Sequence, residues 1–238
     1  MRRLILVPFL CLAAPALGQD CSRDAMVVFD GSGSMSEMGF NQLDVPRILE
    51  AREAMHQVMP SVETLRRIGL IVYGPGDGPS CEAVELRFAP RRNAAGAVIA
   101  AVDALQPDGE TPLTEAVRRA ADLLTRDGGG GDVVLVTDGK ETCGGAPCQL
   151  AAELAADHPT LHVHVIGYKI RGDRFDWDKS GINDYTDADS TARCLAEATG
   201  GEYLVTETVE ELAGALQVTL GCPIFGAVPG PADPLNGS

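Results

Sequence analysis

An apolar strand that ends in an aspartate and a loop of glycines and serines is the feature that most constrains this chain. The run Ala25–Phe29 is followed directly by Asp30-Gly31-Ser32-Gly33-Ser34. A short continuous apolar run is typical of a strand buried on both faces of a parallel sheet. The loop after it offers one carboxylate and two hydroxyls at alternate positions, and such oxygens suit a hard divalent cation.

Two later segments carry oxygen ligands of the same kind. Thr111 lies just ahead of a helical pattern that Pro112 is expected to open as its first residue, and a second apolar run, Val133–Val136, leads to Asp138. Ligands of open α/β sheets bind beyond the carboxyl ends of the strands. Because Asp30, Thr111 and Asp138 all map to that edge, the sequence predicts a cation site there.

Short apolar runs alternate with helical patterns along most of the chain. We expect strands at Ala25–Phe29, Ile68–Tyr73, Ala83–Phe88, Val133–Val136, Leu161–Tyr168 and Glu202–Val205. We expect helices at Val45–Met59, Ala94–Leu105, Pro112–Thr125, Pro147–Ala156, Ser190–Ala198 and Val209–Leu220. This order predicts an α/β fold with a doubly wound, mainly parallel six-stranded sheet and helices on both faces. The run Ala83–Phe88 follows only a short turn, too short for a crossover helix, so it should be an antiparallel edge strand.

The order D-x-S-x-S, then T, then D resembles the metal-ion-dependent adhesion site of von Willebrand factor type A domains, the family that includes the integrin inserted domains. The resemblance runs from about Asp24 to about Leu220 and implies a Rossmann-like fold. In that family the serines and the threonine bind Mg²⁺, directly or through water, and the aspartates hold coordinating waters. The positions implied here are Asp30, Ser32, Ser34, Thr111 and Asp138, with Mg²⁺, or Mn²⁺ or Ca²⁺, as the ion.

This resemblance, together with the chemistry of the ion, favours a protein-binding function over catalysis. Mg²⁺ demands about six oxygens, and ligation mainly by neutral hydroxyls leaves its charge poorly offset, so an Asp or Glu carboxylate of a partner protein can replace a water. One alternative is a metal-assisted hydrolase, because Asp30 and Asp138 would share the site with a polarising cation. The motif provides no histidine, cysteine or lysine base beside that ion.

An acidic segment between the last two expected strands suggests a second metal site. Its register follows the order of a helix-loop-helix calcium loop, with Asp176, Asp178, Ser180, Asp184 and Asp187 as the candidate ligands. Asp187 replaces the usual bidentate glutamate, and the helix that should precede the loop is missing. The segment is therefore either a Ca²⁺ site, which would suit a structural or calcium-binding protein, or a solvated acidic loop.

The amino terminus has the pattern of a secretory signal peptide. Arg2 and Arg3 precede the apolar run Leu4–Leu17, and small residues mark a cleavage site after Gly18. The run is shorter than the roughly 20 residues of a membrane span. We therefore expect a signal peptide over 1–18, a domain over 19–222 and a disordered Pro/Gly-rich tail over 223–238, with export to the periplasm or outside the cell and no membrane insertion after signal cleavage.

The charge of the chain excludes one class of partner. The formal net charge is −15, and loss of the two arginines with the signal peptide changes it to −17. Such a surface repels nucleic acid and anionic membranes. We expect no nucleic-acid partner.

Six of the seven cysteines remain after signal cleavage, and an even number in an exported chain favours disulfides. Cys21 and Cys222 bracket the domain, and the nearby termini of von Willebrand factor type A domains favour their pairing.

The other four cysteines allow more than one arrangement. Cys143 and Cys148 lie five residues apart around two glycines, so a local disulfide is feasible, and it would leave Cys81 to pair with Cys194. A zinc site built from Cys143, Cys148, His162 and His164 is the alternative. The loose cysteine spacing and the position of both histidines within a strand pattern argue against it.

Overall fold

A computed structural model describes residues 23–38, 45–75, 81–139, 141–168 and 192–221. The expected signal peptide over 1–18, the tail over 223–238 and the acidic loop over 176–187 lie outside the described residues. So do Cys21 and Cys222, and their pairing stays a prediction. Within the described part, no helix is long and apolar enough to cross a membrane.

The described residues form six strands and six α-helices, which alternate along the chain except that the second and third strands are consecutive, as are the second and third helices. The strands are β1 (Ala25–Asp30), β2 (Ile68–Tyr73), β3 (Val84–Arg91), β4 (Gly131–Thr137), β5 (Leu161–Tyr168) and β6 (Tyr203–Thr206). The helices are α1 (Arg47–Val62), α2 (Ala95–Asp103), α3 (Leu113–Thr125), α4 (Pro147–Asp157), α5 (192–199) and α6 (Val209–Leu220), and one short 3₁₀ turn covers Gly33–Ser36.

The strands make one sheet in the order β3-β2-β1-β4-β5-β6. Five strands, β2, β1, β4, β5 and β6, run parallel to one another. β3 pairs antiparallel with β2 at the edge. This confirms the fold class expected from the sequence. β1 and β4 are central neighbours, so Asp30 at the end of β1 and Asp138 directly after β4 lie at the same edge of the sheet.

Side chains that alternate along the central strands fill two separate cores. Ala25, Val27 and Phe29 of β1 point into the core covered by α1, α2 and α6. Met26 and Val28 point to the opposite face, which α3, α4 and α5 cover. Every residue of β1 is buried, and all but the last, Asp30, are apolar, as expected for a parallel strand between two helical layers.

Several element boundaries differ from the expected ones by one to three residues. Pro112 precedes α3 as its N-cap and is not its first residue. α1 continues past Pro60 to Val62, three residues beyond its expected end. β3 extends beyond Phe88 through Pro90, which an edge strand tolerates since one side of its backbone pairs with no other strand.

A buried ion pair joins strands at the amino end of the sheet. Arg66 donates to Asp132 and also, through Nε, to the carbonyl of Arg23 at 2.9 Å. The imidazoles of His162 and His164 lie 3.3 and 3.8 Å from Asp132 Oδ1. Burial alone would raise the pKa of Asp132, but the hydrogen bond from His164 and the charge of Arg66 hold it well below its usual range. The two histidines therefore belong to a structural network.

Two disulfides connect the cysteines differently from our expectation. Cys81 pairs with Cys143 and Cys148 pairs with Cys194. The expected pairs Cys143–Cys148 and Cys81–Cys194 are wrong because Pro147 starts α4. Cys148 is thereby fixed on that helix, where it faces α5, while Cys143 stays in the loop after β4 near the β2–β3 connection.

This pairing also removes the zinc alternative, since Cys143 and Cys148 are both oxidised and in different bonds. Among the described residues, no group of three or more His, Cys, Asp or Glu side chains could hold a metal ion. A cation site in this part of the chain must therefore rely on hydroxyl oxygens as well as carboxylates.

Each disulfide should contribute substantially to stability. The Cys81→Ser/Cys143→Ser and Cys148→Ser/Cys194→Ser double variants should each lose about 2–4 kcal/mol of unfolding free energy, because a cross-link removes entropy from the unfolded chain. The sequence separations of 62 and 46 residues are similar, so the two losses should be similar. Urea denaturation followed by circular dichroism measures both losses, and a loss near zero for either pair would contradict the expected stabilisation.

Candidate metal centre

Asp30 is the centre of the hydrogen bonds at the carboxyl end of β1. It is fully buried, and both of its carboxylate oxygens are bonded twice. Oδ1 accepts from the backbone N–H of Ser32 at 2.9 Å and from its hydroxyl at 2.6 Å. Oδ2 accepts from the Tyr73 hydroxyl at 2.8 Å and the Thr137 hydroxyl at 2.7 Å. The carboxylate therefore fixes the start of the serine loop against the ends of β2 and β4.

A chain of short contacts continues from Asp30 to Asp138 through the two serines. The Ser32 and Ser34 hydroxyl oxygens lie 3.1 Å apart, and the Ser34 hydroxyl donates to Asp138 Oδ1 at 2.7 Å. The structure thus joins four of the five residues singled out from the sequence. Ser32 and Asp138 are buried, whereas Ser34 is partly exposed, so solvent reaches the cluster at Ser34.

A count of protons shows what this chain of contacts lacks. Each serine hydroxyl has one proton and two lone pairs. With Asp138 ionised, Ser32 uses its proton on Asp30 and Ser34 uses its proton on Asp138. The 3.1 Å contact between the serine oxygens then has no proton, so lone pairs face each other. A cation beside the two serine oxygens would interact with these lone pairs. This set of oxygen atoms therefore fits a divalent metal ion.

Thr111, the fifth residue, lies on a loop that is tied to the serine loop by backbone hydrogen bonds. Gly33 N–H donates to the Gly109 carbonyl at 3.1 Å, and Asp108 N–H donates to the Gly31 carbonyl at 3.0 Å. Thr111 itself is buried. Among the described residues, its hydroxyl makes no hydrogen bond to the other four. The structure therefore brings its segment to the site without linking its side chain to the cluster.

The loop after β4 holds the Thr111 segment from the other side. Thr142 accepts from the Thr111 N–H through its hydroxyl at 2.8 Å and donates its own N–H to the Thr111 carbonyl at 3.2 Å. Glu141 accepts from the N–H and the hydroxyl of Thr114, both at 2.7 Å, in the first turn of α3. Cys143, next in sequence, anchors this loop to Cys81. The disulfide thus braces one wall of the site.

Sequence reasoning missed Tyr73, Thr137 and Gly74. Tyr73 and Thr137 are the last residues of β2 and β4, and only the strand register places them beside Asp30. Gly74 has φ +101°, and a Cβ there would overlap the backbone of Ser32. A glycine directly after a strand was the only signal for such a close approach.

Sequence reasoning also missed Arg47, the first residue of α1. Its side chain is 6% exposed, and Nη1 lies 3.1 Å from Asp138 Oδ2 and 3.4 Å from Glu37 Oε2. The same nitrogen donates to the Ser34 carbonyl at 3.2 Å. An internal cation therefore already contacts the cluster.

Burial and mutual repulsion shape the titration of this cluster. Burial, followed by the charge of Asp30, raises the pKa of Asp138 to about 7, although Ser34 and Arg47 act in the opposite direction. Burial and then the charge of Asp30 also raise the pKa of the Tyr73 hydroxyl well above its ordinary value. Two carboxylates in one buried site thus carry more negative charge than one arginine offsets.

Part of the chain is similar to a known protein family. Residues 25–141 match the family model of the von Willebrand factor type A domain. The matched stretch begins at β1 and ends just after Asp138, so it includes all five residues of the candidate site. The acidic loop over 176–187 lies outside both the match and the described residues, and its calcium site stays a prediction.

One protein is similar to this chain in sequence and one solved structure is similar in fold. YwmD, an uncharacterized protein of Bacillus subtilis (strain 168), is 27% identical over 218 residues, which cover 86% of this chain and 88% of YwmD. The pilus adhesin SpaC from Lactobacillus rhamnosus GG has a TM-score of 0.60 at 15% identity, over 84% of this chain and 30% of SpaC.

A third comparison concerns the metal site of another protein. Proximal thread matrix protein 1 from the mussel byssus, in a structure with a zinc-occupied adhesion-site motif, has a TM-score of 0.54 at 15% identity. The match covers 84% of this chain and 46% of that protein. This chain spans less than half the length of either solved structure, and at such identities the likeness shows the fold alone.

The raised pKa of Asp138 predicts how the stability of the metal-free protein varies with pH. Between about pH 4 and 7 the folded protein keeps a proton on Asp138 that the unfolded chain releases. The contribution of Asp138 to the free energy of unfolding is therefore fully present below about pH 4 and is lost as pH rises through about 7. Each pKa unit corresponds to about 1.4 kcal/mol. The free energy of unfolding of Asp138→Asn, relative to wild type, should therefore rise by about 2–3 kcal/mol from pH 5 to pH 8.

Urea denaturation in metal-free buffer at several pH values measures this difference. The pKa of Asp132 is lowered, so its contribution is constant across this pH window and cancels in the comparison. Equal pH slopes for wild type and Asp138→Asn would contradict the electrostatic account.

Proposed function

We propose that this chain is an exported von Willebrand factor type A protein that binds a divalent cation, Mg²⁺ being the leading candidate and Mn²⁺ or Ca²⁺ the alternatives. The ligands would be Ser32, Ser34 and Thr111, with Asp30 and Asp138 holding coordinating waters. Through this ion the protein would capture an Asp or Glu carboxylate of a partner protein. The bound cation would supply an electrophilic point charge that attracts this carboxylate.

The contact between the two serine oxygens is the observation that carries the proposal. At 3.1 Å the oxygens have no proton to share once each has donated to its own aspartate. Buried polar groups in native proteins are normally satisfied. A cation at the open side of this pair would satisfy the lone pairs and offset the two buried carboxylates.

The residues around the ligands support this role by holding them in place. Tyr73 and Thr137 occupy one oxygen of Asp30, so this carboxylate has a fixed orientation. Glu141 and Thr142 hold the segment that carries Thr111. Such pre-organisation lowers the entropic cost of binding a ligand. Ser34, as the partly exposed member, marks the side from which a partner would approach.

We propose binding rather than hydrolysis. Among the described residues, the side chains bonded to Asp30 and Asp138 are hydroxyls and one guanidinium, so no histidine, cysteine or lysine is bonded to these carboxylates as a separate general base. A screen with generic phosphoester and peptide substrates in the presence of Mg²⁺ separates the two functions. Metal-dependent turnover that Ser34→Ala abolishes would support the hydrolase instead.

Two observations support export. Disulfides persist in oxidising compartments such as the periplasm or the extracellular space, and two are present here. The amino-terminal sequence has the pattern of a signal peptide. The net negative charge is consistent with a protein partner rather than nucleic acid.

Loss of one serine ligand should weaken cation binding. Ser34→Ala removes an oxygen from the ion's first coordination sphere, so its Mg²⁺ dissociation constant should rise at least tenfold, which is about 1.4 kcal/mol. Ser36→Ala is the matched control, because Ser36 is exposed on the same loop and bonds only to the Gly33 carbonyl among the described residues. Isothermal titration of metal-free protein with MgCl₂ measures both. Equal affinities for Ser34→Ala and wild type would refute the ligand assignment.

Carboxylate capture can be tested without a known partner. When the protein is loaded with Mn²⁺, acetate should displace a bound water and lower the water proton relaxation enhancement. Acetamide, which has a similar shape and no charge, should have little effect. Identical responses to the two compounds would leave metal binding intact but would refute carboxylate capture.

A further inference from the structure

Arg47 contacts the candidate site as a buried cation in a cluster that already needs positive charge. It extends from the first turn of α1 and ion-pairs with Asp138 at 3.1 Å. Its backbone N–H donates to the Glu37 carbonyl at 3.0 Å, which fixes the helix end beside the serine loop. The Nε–H is buried and has no hydrogen-bond partner among the described residues.

We propose that Arg47 is an internal counter-ion which stabilises the empty site and competes with the divalent cation for Asp138. Metal binding then requires Arg47 to release Asp138. This inference rests on the proposed function, and it adds that the chain limits its own metal affinity.

Asp30 and Asp138 are two buried carboxylates in one site. Without a counter-ion, two ionised carboxylates in a poorly solvated site repel each other, and burial penalises both charges. Arg47 offsets one charge and leaves the other. A divalent ion offsets both, but it must then lie near the guanidinium, and two cations close together in a poorly solvated site repel each other.

The contacts of Arg47 indicate where its guanidinium would go. The same Nη1 that pairs with Asp138 lies 3.4 Å from Glu37 Oε2, and the Glu37 side chain is 67% exposed. A small shift of the guanidinium toward Glu37 would exchange a buried carboxylate for an exposed one. Among the described residues the Nε–H of Arg47 has no hydrogen-bond partner, so the present position of the side chain leaves one of its donors unsatisfied there. Both features suit a side chain with two positions.

A purely structural arginine would behave in the opposite way. Arg47 also donates to the Ser34 carbonyl at 3.2 Å, so it helps to hold the loop that carries two of the proposed ligands. If this support were its main role, its removal would loosen the loop and weaken metal binding. If competition is its main role, its removal strengthens metal binding. The sign of the change in affinity therefore separates the two roles.

The experiment compares Arg47→Met, Arg47→Lys and a matched control, Arg52→Met. Methionine keeps the apolar stem without the charge, and lysine keeps the charge without the planar fork. Arg52 lies on the same helix but donates to the carbonyls of Val102 and Leu105, away from the site. Each full-length variant is titrated with MgCl₂ at pH 8 by calorimetry and unfolded with urea in EDTA.

Arg47→Met should bind Mg²⁺ at least tenfold more tightly than wild type and should be less stable in EDTA. Arg47→Lys and Arg52→Met should have wild-type affinity within about threefold. A folded Arg47→Met protein with unchanged or weaker Mg²⁺ binding, beside a wild type that binds, would overturn the inference while the proposed function stands. Binding of Mg²⁺ by neither protein would overturn both.

A measurement on wild type alone keeps the test valid if Arg47→Met does not fold in EDTA. In ¹H–¹⁵N spectra of the arginine side chains, the Nε–H signal of Arg47 should shift as MgCl₂ is added, with the same midpoint as in calorimetry. The Arg52 signal should stay in place. An Arg47 signal that does not move while the protein binds Mg²⁺ would show that the guanidinium keeps its position, and the inference would be wrong.

Discussion

The four hydrogen bonds on the Asp30 carboxylate hold the carboxyl edge of the sheet together. They come from the serine loop, from the last residue of β2 and from the last residue of β4, so three chain segments meet on one side chain. A fully buried carboxylate without such partners would cost far more than a fold of this size can tolerate. The requirement to satisfy Asp30 therefore fixes the geometry of the loop that carries Ser32 and Ser34.

At this carboxyl edge the hydrogen bonds are satisfied, but the negative charges are not balanced. Burial, followed by the charge of Asp30, raises the pKa of Asp138 to about 7, and one arginine supplies the only opposite charge in contact with Asp138 among the described residues. At the amino edge, by contrast, His164 and Arg66 lower the pKa of Asp132. The ionised form of the buried aspartate is therefore stabilised at the amino edge of the sheet and destabilised at the carboxyl edge. Unfavourable charge that persists in a fold commonly marks a functional site.

Sequence patterns were sufficient for most of the fold. Buried parallel strands such as β1 and β4 are recognisable because both of their faces must be apolar, and β3 was identified as antiparallel because its connection is too short for a helix. The predicted disulfide pairing was wrong because a helix starts between Cys143 and Cys148, so their closeness in sequence does not bring them together. Tyr73, Gly74 and Arg47 were missed, since nothing local to these residues shows that they face Asp30, Ser32 or Asp138.

The sequence by itself determined which oxygens are available and that two strands end beside them, because apolar runs, the order D-x-S-x-S, T and D, and the edge rule for α/β sheets are all local or topological features. Only the tertiary structure decided how those oxygens are shared. The close contact between the Ser32 and Ser34 oxygens, the burial that raises the pKa of Asp138 and the position of Arg47 depend on distances across the sheet edge. Such distances arise from packing between segments far apart in the chain, which no local pattern encodes.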